Sequence, residues 1–241
     1  MNKLLIILFL ITIASCKKAK EETSVKKVVI INKEIVSTND YVPEKEDYTS
    51  STKPLTLETN QEGITNLPKN LSKFIPKGYT AINVTSGNLN LDGFSDTILV
   101  LKKNGEESNQ NEDLRPVLIL IGQSNKSFKL EKRNNVAVFC FACGGIGGDP
   151  FVGITVKNGY FSIEHGIHGG QHWDDITTFK YDKVKSNWFL YKEGYESYRF
   201  NDSQDANAEA LVLDVKEQKT TKDFGVITFD DFDIYKRAEE R

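Results

Sequence analysis

The three histidines of the chain fall within eight residues: His165, His168 and His172. Imidazoles at this density are ligands for Zn²⁺ or Cu²⁺, and Glu164, Asp174 and Asp175 beside them could complete a coordination set. A metal-activated water next to one of those carboxylates would be hydrolytic chemistry. No His-Glu-x-x-His pair occurs, and the glycines around the histidines are poor at fixing ligands. The same residues therefore also read as a glycine-rich strand connection with solvent-facing imidazoles. Upstream stand Cys140 and Cys143, the two cysteines that follow Cys16. In an oxidising compartment an even pair is most simply a disulfide. Strand side chains three apart point to opposite faces, so the bond needs a turn, which Gly144 and Gly145 permit. Free buried thiols, and metal or redox work, are the other readings. A redox role calls for Cys-x-x-Cys at a helix start in a βαβ context, and that context is absent from the sequence pattern.

A third cluster precedes an apolar run. Asn88-Leu89-Asn90-Leu91-Asp92-Gly93-Phe94-Ser95-Asp96 puts oxygen side chains at loop positions 1, 3, 5 and 9, with glycine at 6. Ca²⁺ takes six to eight oxygens; this spacing curls Asn88, Asn90, Asp92 and Asp96 around one centre, and Phe94 can add its backbone carbonyl. Leu99 stands where an EF-hand needs glutamate, so this is not an EF-hand. The stretch resembles the Ca²⁺ loops of FG-GAP and VCBS-type repeats, in one copy of about fifteen residues. Asn88 replaces the first aspartate of that pattern, which removes a charge and lowers the expected affinity. The resemblance implies a structural Ca²⁺ that pins a loop at a strand start; the alternative is a metal-free Asn/Asp-rich turn. More widely, Cys140-x-x-Cys143-Gly144-Gly145, Gly148-Asp149-Pro150-Phe151 and Gly169-Gly170-x-x-Trp173 together resemble a family of bacterial lipoproteins with a single such loop. That likeness covers most of residues 75–195 and implies a β-rich domain, with no catalytic role attached.

The elements that must position these residues are mostly strands. Leu67, Leu71, Phe74 and Ile75 fall at helical spacing between Pro68 and Pro76-Lys77-Gly78, which predicts one short helix. Strand-like runs follow at 79–84, 97–101, 117–121, 128–130, 136–141, 152–156, 160–164, 176–181, 188–191, 210–215 and 224–229. Asn158-Gly159 between two alternating runs is a strong hairpin signal. Turn signals separate the runs and no helices alternate with them, which predicts a mostly β fold. The expectation is an antiparallel meander, a sandwich or propeller-like sheets, with one short N-terminal helix; residues 234–241 suit a final helical turn. Trp173, Trp188, Tyr191, Tyr195 and Tyr198 could line a sugar or peptide groove or pack across strands. Asp230-Asp231-Phe232-Asp233 reads as a solvated edge. Neither a Gly-x-Ser-x-Gly nor a Ser/His/Asp arrangement stands out, so no catalytic residue is assigned.

The N-terminus places the protein. A basic Met1-Asn2-Lys3, the apolar run Leu4 to Ile13 and a small-residue site before Cys16 make an export signal over residues 1–15, too short to span a bilayer. Ala14-Ser15-Cys16 resembles a bacterial lipobox, which implies a diacylated Cys16 as the mature N-terminus and membrane attachment through lipid. Lys17 is not an inner-membrane retention aspartate, and Lys20-Glu21-Glu22 resembles a surface-export signal, so the outer membrane is expected, with the leaflet open. Residues 16–60 form the lipidated cysteine and a polar linker, with eight lysines and eight acidic residues after Cys16 and no glycine. Fully flexible, it would reach roughly 35–40 Å. The apolar patches within residues 25–36 could dock on the body or on a partner protein. Residues 61–241 make one domain of ordinary size. A formal charge of −3, one unit more negative without the signal, argues against nucleic acid as a partner. The reading is a lipid-anchored envelope protein whose calcium-stabilised β-domain serves as a binding or structural module, with an envelope protein or glycan as its partner. The alternative is an envelope metalloenzyme or transition-metal-binding protein built on His165, His168 and His172.

Overall fold

The apolar runs at 97–101 and 117–121 are unbroken because both faces of the strands that carry them are covered. β1 (Tyr79–Gly87), β2 (Asp96–Lys103), β3 (Val117–Gly122) and β4 (Phe128–Asn134) pair antiparallel in chain order. Ile98, Val100, Val117, Ile119 and Ile121 point into the main core. The alternate residues Leu99, Leu101, Leu118 and Leu120 point the other way. There they pack under Ile64, Leu67, Leu71, Phe74 and Ile75 of the N-terminal segment, which contains α1 (Lys69–Ser72). Each such side chain contributes about 1.5–3 kcal/mol by leaving water, so the segment before β1 is part of the fold.

The second sheet is β5 (Phe151–Lys157), β6 (Tyr160–Ile167), β7 (His172–Asp182), β8 (Asn187–Phe200) and β9 (Leu211–Thr220), again in chain order. Its inner face supplies Phe161, Ile163, Phe179, Trp188 and Leu190 to the main core, where they meet the first sheet's residues. Its outer face carries Ser162, Thr178, Lys180 and Lys192, the alternation expected of a half-solvated sheet. The β5–β6 turn is Asn158-Gly159 with φ of 40° and 77°, the left-handed pair that an Asn-Gly hairpin supplies. The fold is thus mostly β, two open antiparallel meanders packed on a shared core.

This computed structural model describes residues 63–109, 112–169, 172–205 and 207–240, all within one compact unit, Ser50–Arg241. The signal at 1–15, Cys16, the linker to residue 60 and the docking segment at 25–36 lie outside the described residues. No helix among the described residues is long and apolar enough to cross a membrane.

Several expected elements differ. Residues 136–141 are not a strand, although Ala137, Val138 and Cys140 are buried. Their backbone groups bond outside any ladder: Val136 N–H to the Asn134 side chain at 2.7 Å, Phe139 N–H to His165 Nε2 at 3.3 Å, Cys140 N–H to the Tyr235 hydroxyl at 3.0 Å. A 3-10 segment, Phe141–Gly147, follows. Residues 224–229 form one isolated bridge, Phe189 with Thr228, after the short α3 (Thr221–Phe224). The acidic run near 230 is not a solvated edge throughout: Phe232 is buried, and Asp233 caps α4 (Ile234–Glu239) by accepting from Tyr235 N–H at 3.0 Å. A further helical turn, α2 (Glu106–Asn109), was not signalled by the sequence pattern.

Candidate functional site

The β6–β7 hairpin decides which histidines meet. In its register Gly166 lies opposite Asp174 and His165 opposite Asp175. His165 and Asp175 fall on the inner face, 1% and 0% exposed. His165 packs edge-on against Phe139 and Phe151 there. His168, just past β6, and His172, the first residue of β7, fall on the outer side with Asp174. His168 Nε2 is 2.9 Å from Asp174 Oδ1, and His172 Nε2 is 3.2 Å from Asp174 Oδ2. The two imidazoles stack with centroids 4.6 Å apart. Gly166 makes this convergence possible: a Cβ there would sit 2.9 Å from Asp174 Oδ1 and 3.2 Å from His168 Nε2. Glu164 lies further along β6 and accepts a hydrogen bond from Thr155.

β8 and β9 add neighbours: Glu196 and Lys216, which the sequence reading missed, and Tyr198, which it singled out only as a groove or packing aromatic. Tyr198 pairs with His172 in register, and its ring meets the imidazole edge-on at 4.8 Å. Its hydroxyl donates to Glu196 at 3.0 Å, and Lys216 of β9 reaches the same carboxylate at 2.6 Å. Lys216 first and Tyr198 second hold the Glu196 carboxyl below the usual range. Glu196 in turn raises both Lys216 and Tyr198. Beside this group the outer face of β7–β9 is hollowed into a groove of about 410 Å³, walled by Asp174, Ile176, Glu196, Lys216 and Gln218. The only signal for Glu196 and Lys216 was an alternation of charged and aromatic residues, which a bulge at Ser197/Tyr198 disrupts.

The opposite side of the same hairpin end is aromatic. Phe139, Trp173 and Tyr195, all half-buried, border a second groove of about 430 Å³ together with Val215, Glu217 and Ala238. The Trp173 and Tyr195 rings are tilted by 31° with centroids 6.3 Å apart. Of the other aromatics singled out from sequence, Trp188 belongs to the core and donates its indole N–H to Leu89 carbonyl at 3.2 Å. Tyr191 sits edge-on to Tyr160.

Cys140 and Cys143 form a disulfide across the turn at the start of the 3-10 segment, with Cα atoms 5.1 Å apart. Cys140 is buried and Cys143 is exposed. The glycines that follow serve contact: a Cβ on Gly147 would collide with the Ile167 side chain at the end of β6. Asp149 of the Gly-Asp-Pro-Phe segment accepts from Arg115 at 2.7 Å and from Phe151 N–H at 3.0 Å. Arg115 also reaches Glu106 at 2.5 Å; both of these side chains are buried. That charge cluster is structural and had no local signal, because its members come from α2, the approach to β3 and the loop before β5.

The 88–96 loop joins β1 to β2. Asp96 is fully buried, and its carboxylate accepts three backbone N–H groups: Leu89 at 2.7 Å, Asn90 at 3.2 Å and Gly122 at 2.9 Å. Burial pushes the Asp96 carboxyl up, and those three N–H groups pull against the shift. Asn90 and Asp92 bond to each other at 2.7 Å, and Asp92 accepts from Phe94 N–H at 2.8 Å. The Asn88 Oδ1 atom is buried with no hydrogen-bond donor among the described residues. A buried acceptor without a partner is unfavourable by about 1–3 kcal/mol, and a cation would relieve it, so the residues present fit a Ca²⁺ held by Asn88, Asn90, Asp92 and the Phe94 carbonyl, with Asp96 contributing what its three N–H bonds leave. The chain matches no protein-family model, and neither curated proteins nor solved structures yield a match.

Proposed function

We propose that the protein is a lipid-anchored glycan-binding module of the bacterial envelope. Cys16 carries the acyl chains in the outer membrane, the linker carries the domain clear of the headgroups, and Ca²⁺ clips the 88–96 loop. The aromatic groove is the observation that carries the binding role. Its volume, about 430 Å³, lies within the range of small-ligand sites. A sugar ring offers an apolar C–H face whose hydrogens carry partial positive charge, complementary to the negative faces of Trp173 and Tyr195. Glu217 at the rim supplies an acceptor for ring hydroxyls.

The test uses the full-length chain in detergent against a panel of soluble envelope polysaccharides. Binding of at least one member, weakened about 10-fold or more in Trp173→Ala and in Tyr195→Ala, is the expected result, in line with the roughly 2 kcal/mol of a buried aromatic anchor. A full panel without binding, or retention equal in both variants, removes the glycan reading. The anchor is checked separately: mass spectrometry should find acyl groups on the N-terminal Cys16 peptide, and Cys16→Ser should release the protein from the membrane fraction.

A further inference from the structure

The outer side of the β6–β7 hairpin carries a second, independent chemistry. Three side chains with metal-ligating atoms converge there, and one atom from each of His168, His172 and Asp174 lies within 4.8 Å of the others. A tetrahedral ion with bonds near 2.05 Å holds its donors about 3.3 Å apart. His168 Nε2 lies 2.9 Å from Asp174 Oδ1 and His172 Nε2 lies 3.2 Å from Oδ2, so each imidazole is already at that spacing from one of the two carboxylate oxygens. Bringing all three residues onto one ion through a single Asp174 oxygen asks for a change of about 1.5 Å at most in any pair separation. The imidazoles are 58% and 28% exposed, so they can make that shift without disturbing the core.

The surroundings favour a dication over a simple hydrogen-bonded trio. Asp174 lies opposite Glu196 across β7 and β8, which places two carboxylates side by side. Lys216 neutralises Glu196, so the charge of Asp174 is left to the histidines. Tyr198 meets the His172 ring edge-on, the kind of outer contact that helps orient a ligand. Gly166 keeps the space between Asp174 and His168 clear.

We propose that His168, His172 and Asp174 form a site for one first-row transition-metal dication of the Zn²⁺ class, with His165 taking no part. Two imidazole nitrogens and one carboxylate oxygen suit Zn²⁺ and its borderline neighbours, and reject Ca²⁺ and Mg²⁺, which prefer all-oxygen sets. Three protein ligands leave a fourth position for water or an exogenous donor. Asp174 also walls the 410 Å³ groove, so the site stands at one end of that groove. The site is independent of the aromatic groove, which lies on the inner side of the same sheet.

The experiment titrates the full-length chain, purified without a histidine tag, with Zn²⁺ alone. Binding is read by calorimetry and by the imidazole proton resonances. One Zn²⁺ per chain is expected, with two of the three histidine resonances shifting and the third, His165, unmoved. Asp174→Ala and the paired His168→Ala/His172→Ala variant should each weaken binding by about 100-fold or more, beyond what outer contacts achieve. Gly166→Ala, whose methyl group would press on Asp174 Oδ1 and His168 Nε2 while removing no ligand, should weaken it about 10-fold. Co²⁺ in place of Zn²⁺ should give the visible absorption of a nitrogen- and oxygen-ligated tetrahedral ion. Absence of Zn²⁺ binding below about 0.1 mM overturns the proposal, as does a shift of the His165 resonance with His168 and His172 still. The resonances are read on the unaltered chain, so the result stands even where a variant folds poorly.

Discussion

Asp96 and Asp174 stand in the two clusters that the sequence marks for metal, and the fold uses them in opposite ways. Asp96 is sealed from solvent and accepts three backbone N–H groups, two from its own loop and one from the end of β3. Asp174 is about 39% exposed and faces the two imidazoles of His168 and His172. The first carboxylate is a staple: it replaces the ladder partners that a loop between two strands cannot supply. The second holds no backbone in place, so its geometry serves what it binds. A carboxylate bonded to backbone on every side reports on stability, and one bonded to ring nitrogens in solvent reports on ligands.

The largest expected effect tests the staple. Asp96→Ala leaves three buried N–H groups unpaired, each unfavourable by about 1–3 kcal/mol, so a loss of roughly 3–6 kcal/mol is expected in urea unfolding. Asp96→Asn keeps an acceptor oxygen but turns its amide toward one of the N–H donors, and should lose less, about 1–3 kcal/mol. A loss under about 1 kcal/mol in Asp96→Ala would mean that the loop holds itself and the contrast with Asp174 fails.

Much of the fold was legible in the sequence, whereas this division was not. The central strands could be read as continuous apolar runs because β2 and β3 are buried on both faces, and Asn158-Gly159 announced its hairpin. The sequence reading kept the three histidines together; the structure separates them by strand parity, His165 being odd and turned inward where His168, His172 and Asp174 are even. What parity could not supply was register, which alone chooses Asp174 over Asp175 by setting Gly166 opposite it. The run at 136–141 looked like a strand because its apolar residues are buried, yet its backbone partners are the side chains of Asn134, His165 and Tyr235, a tertiary arrangement without local trace. The length of β8 was hidden for a related reason: its outer half, Lys192–Phe200, interleaves charge with aromatics and carries a bulge.

Calcium sharpens the same comparison at a smaller magnitude. At ten times its dissociation constant, Ca²⁺ should add about 1.4 kcal/mol to the unfolding free energy, and a chelator should take that increment away. For a domain of this size the melting temperature should move by about 3–5 °C. The increment should persist in the His168→Ala/His172→Ala variant, because the two sites share no residue. A melting temperature indifferent to Ca²⁺ up to millimolar concentration would make the 88–96 loop a metal-free turn.

Asn88 separates the two causes of order in that loop. Its Oδ1 is buried without a donor, so Asn88→Ala removes an unfavourable acceptor when no cation is bound. In chelator, that variant should be as stable as the native chain or more stable by up to about 1 kcal/mol, while losing the calcium increment. Loss of stability in chelator would show instead that the Asn88 side chain packs usefully without a cation.

The smallest effect falls at Asp174. Its hydrogen bonds to His168 and His172 lie in solvent, and exposed pairs of this kind contribute about 0–1 kcal/mol. Asp174→Ala should therefore unfold within about 0.5 kcal/mol of the native chain in chelator. With Zn²⁺ present the same substitution should cancel the stabilisation that the ion gives the native chain, about 2.7 kcal/mol at a hundred times the dissociation constant. Asp96→Ala should show the reverse pattern, a large deficit in chelator and an undiminished Zn²⁺ increment. The crossed result is decisive because each carboxylate then affects only the equilibrium its neighbours assign to it: backbone donors for Asp96, imidazoles and a cation for Asp174.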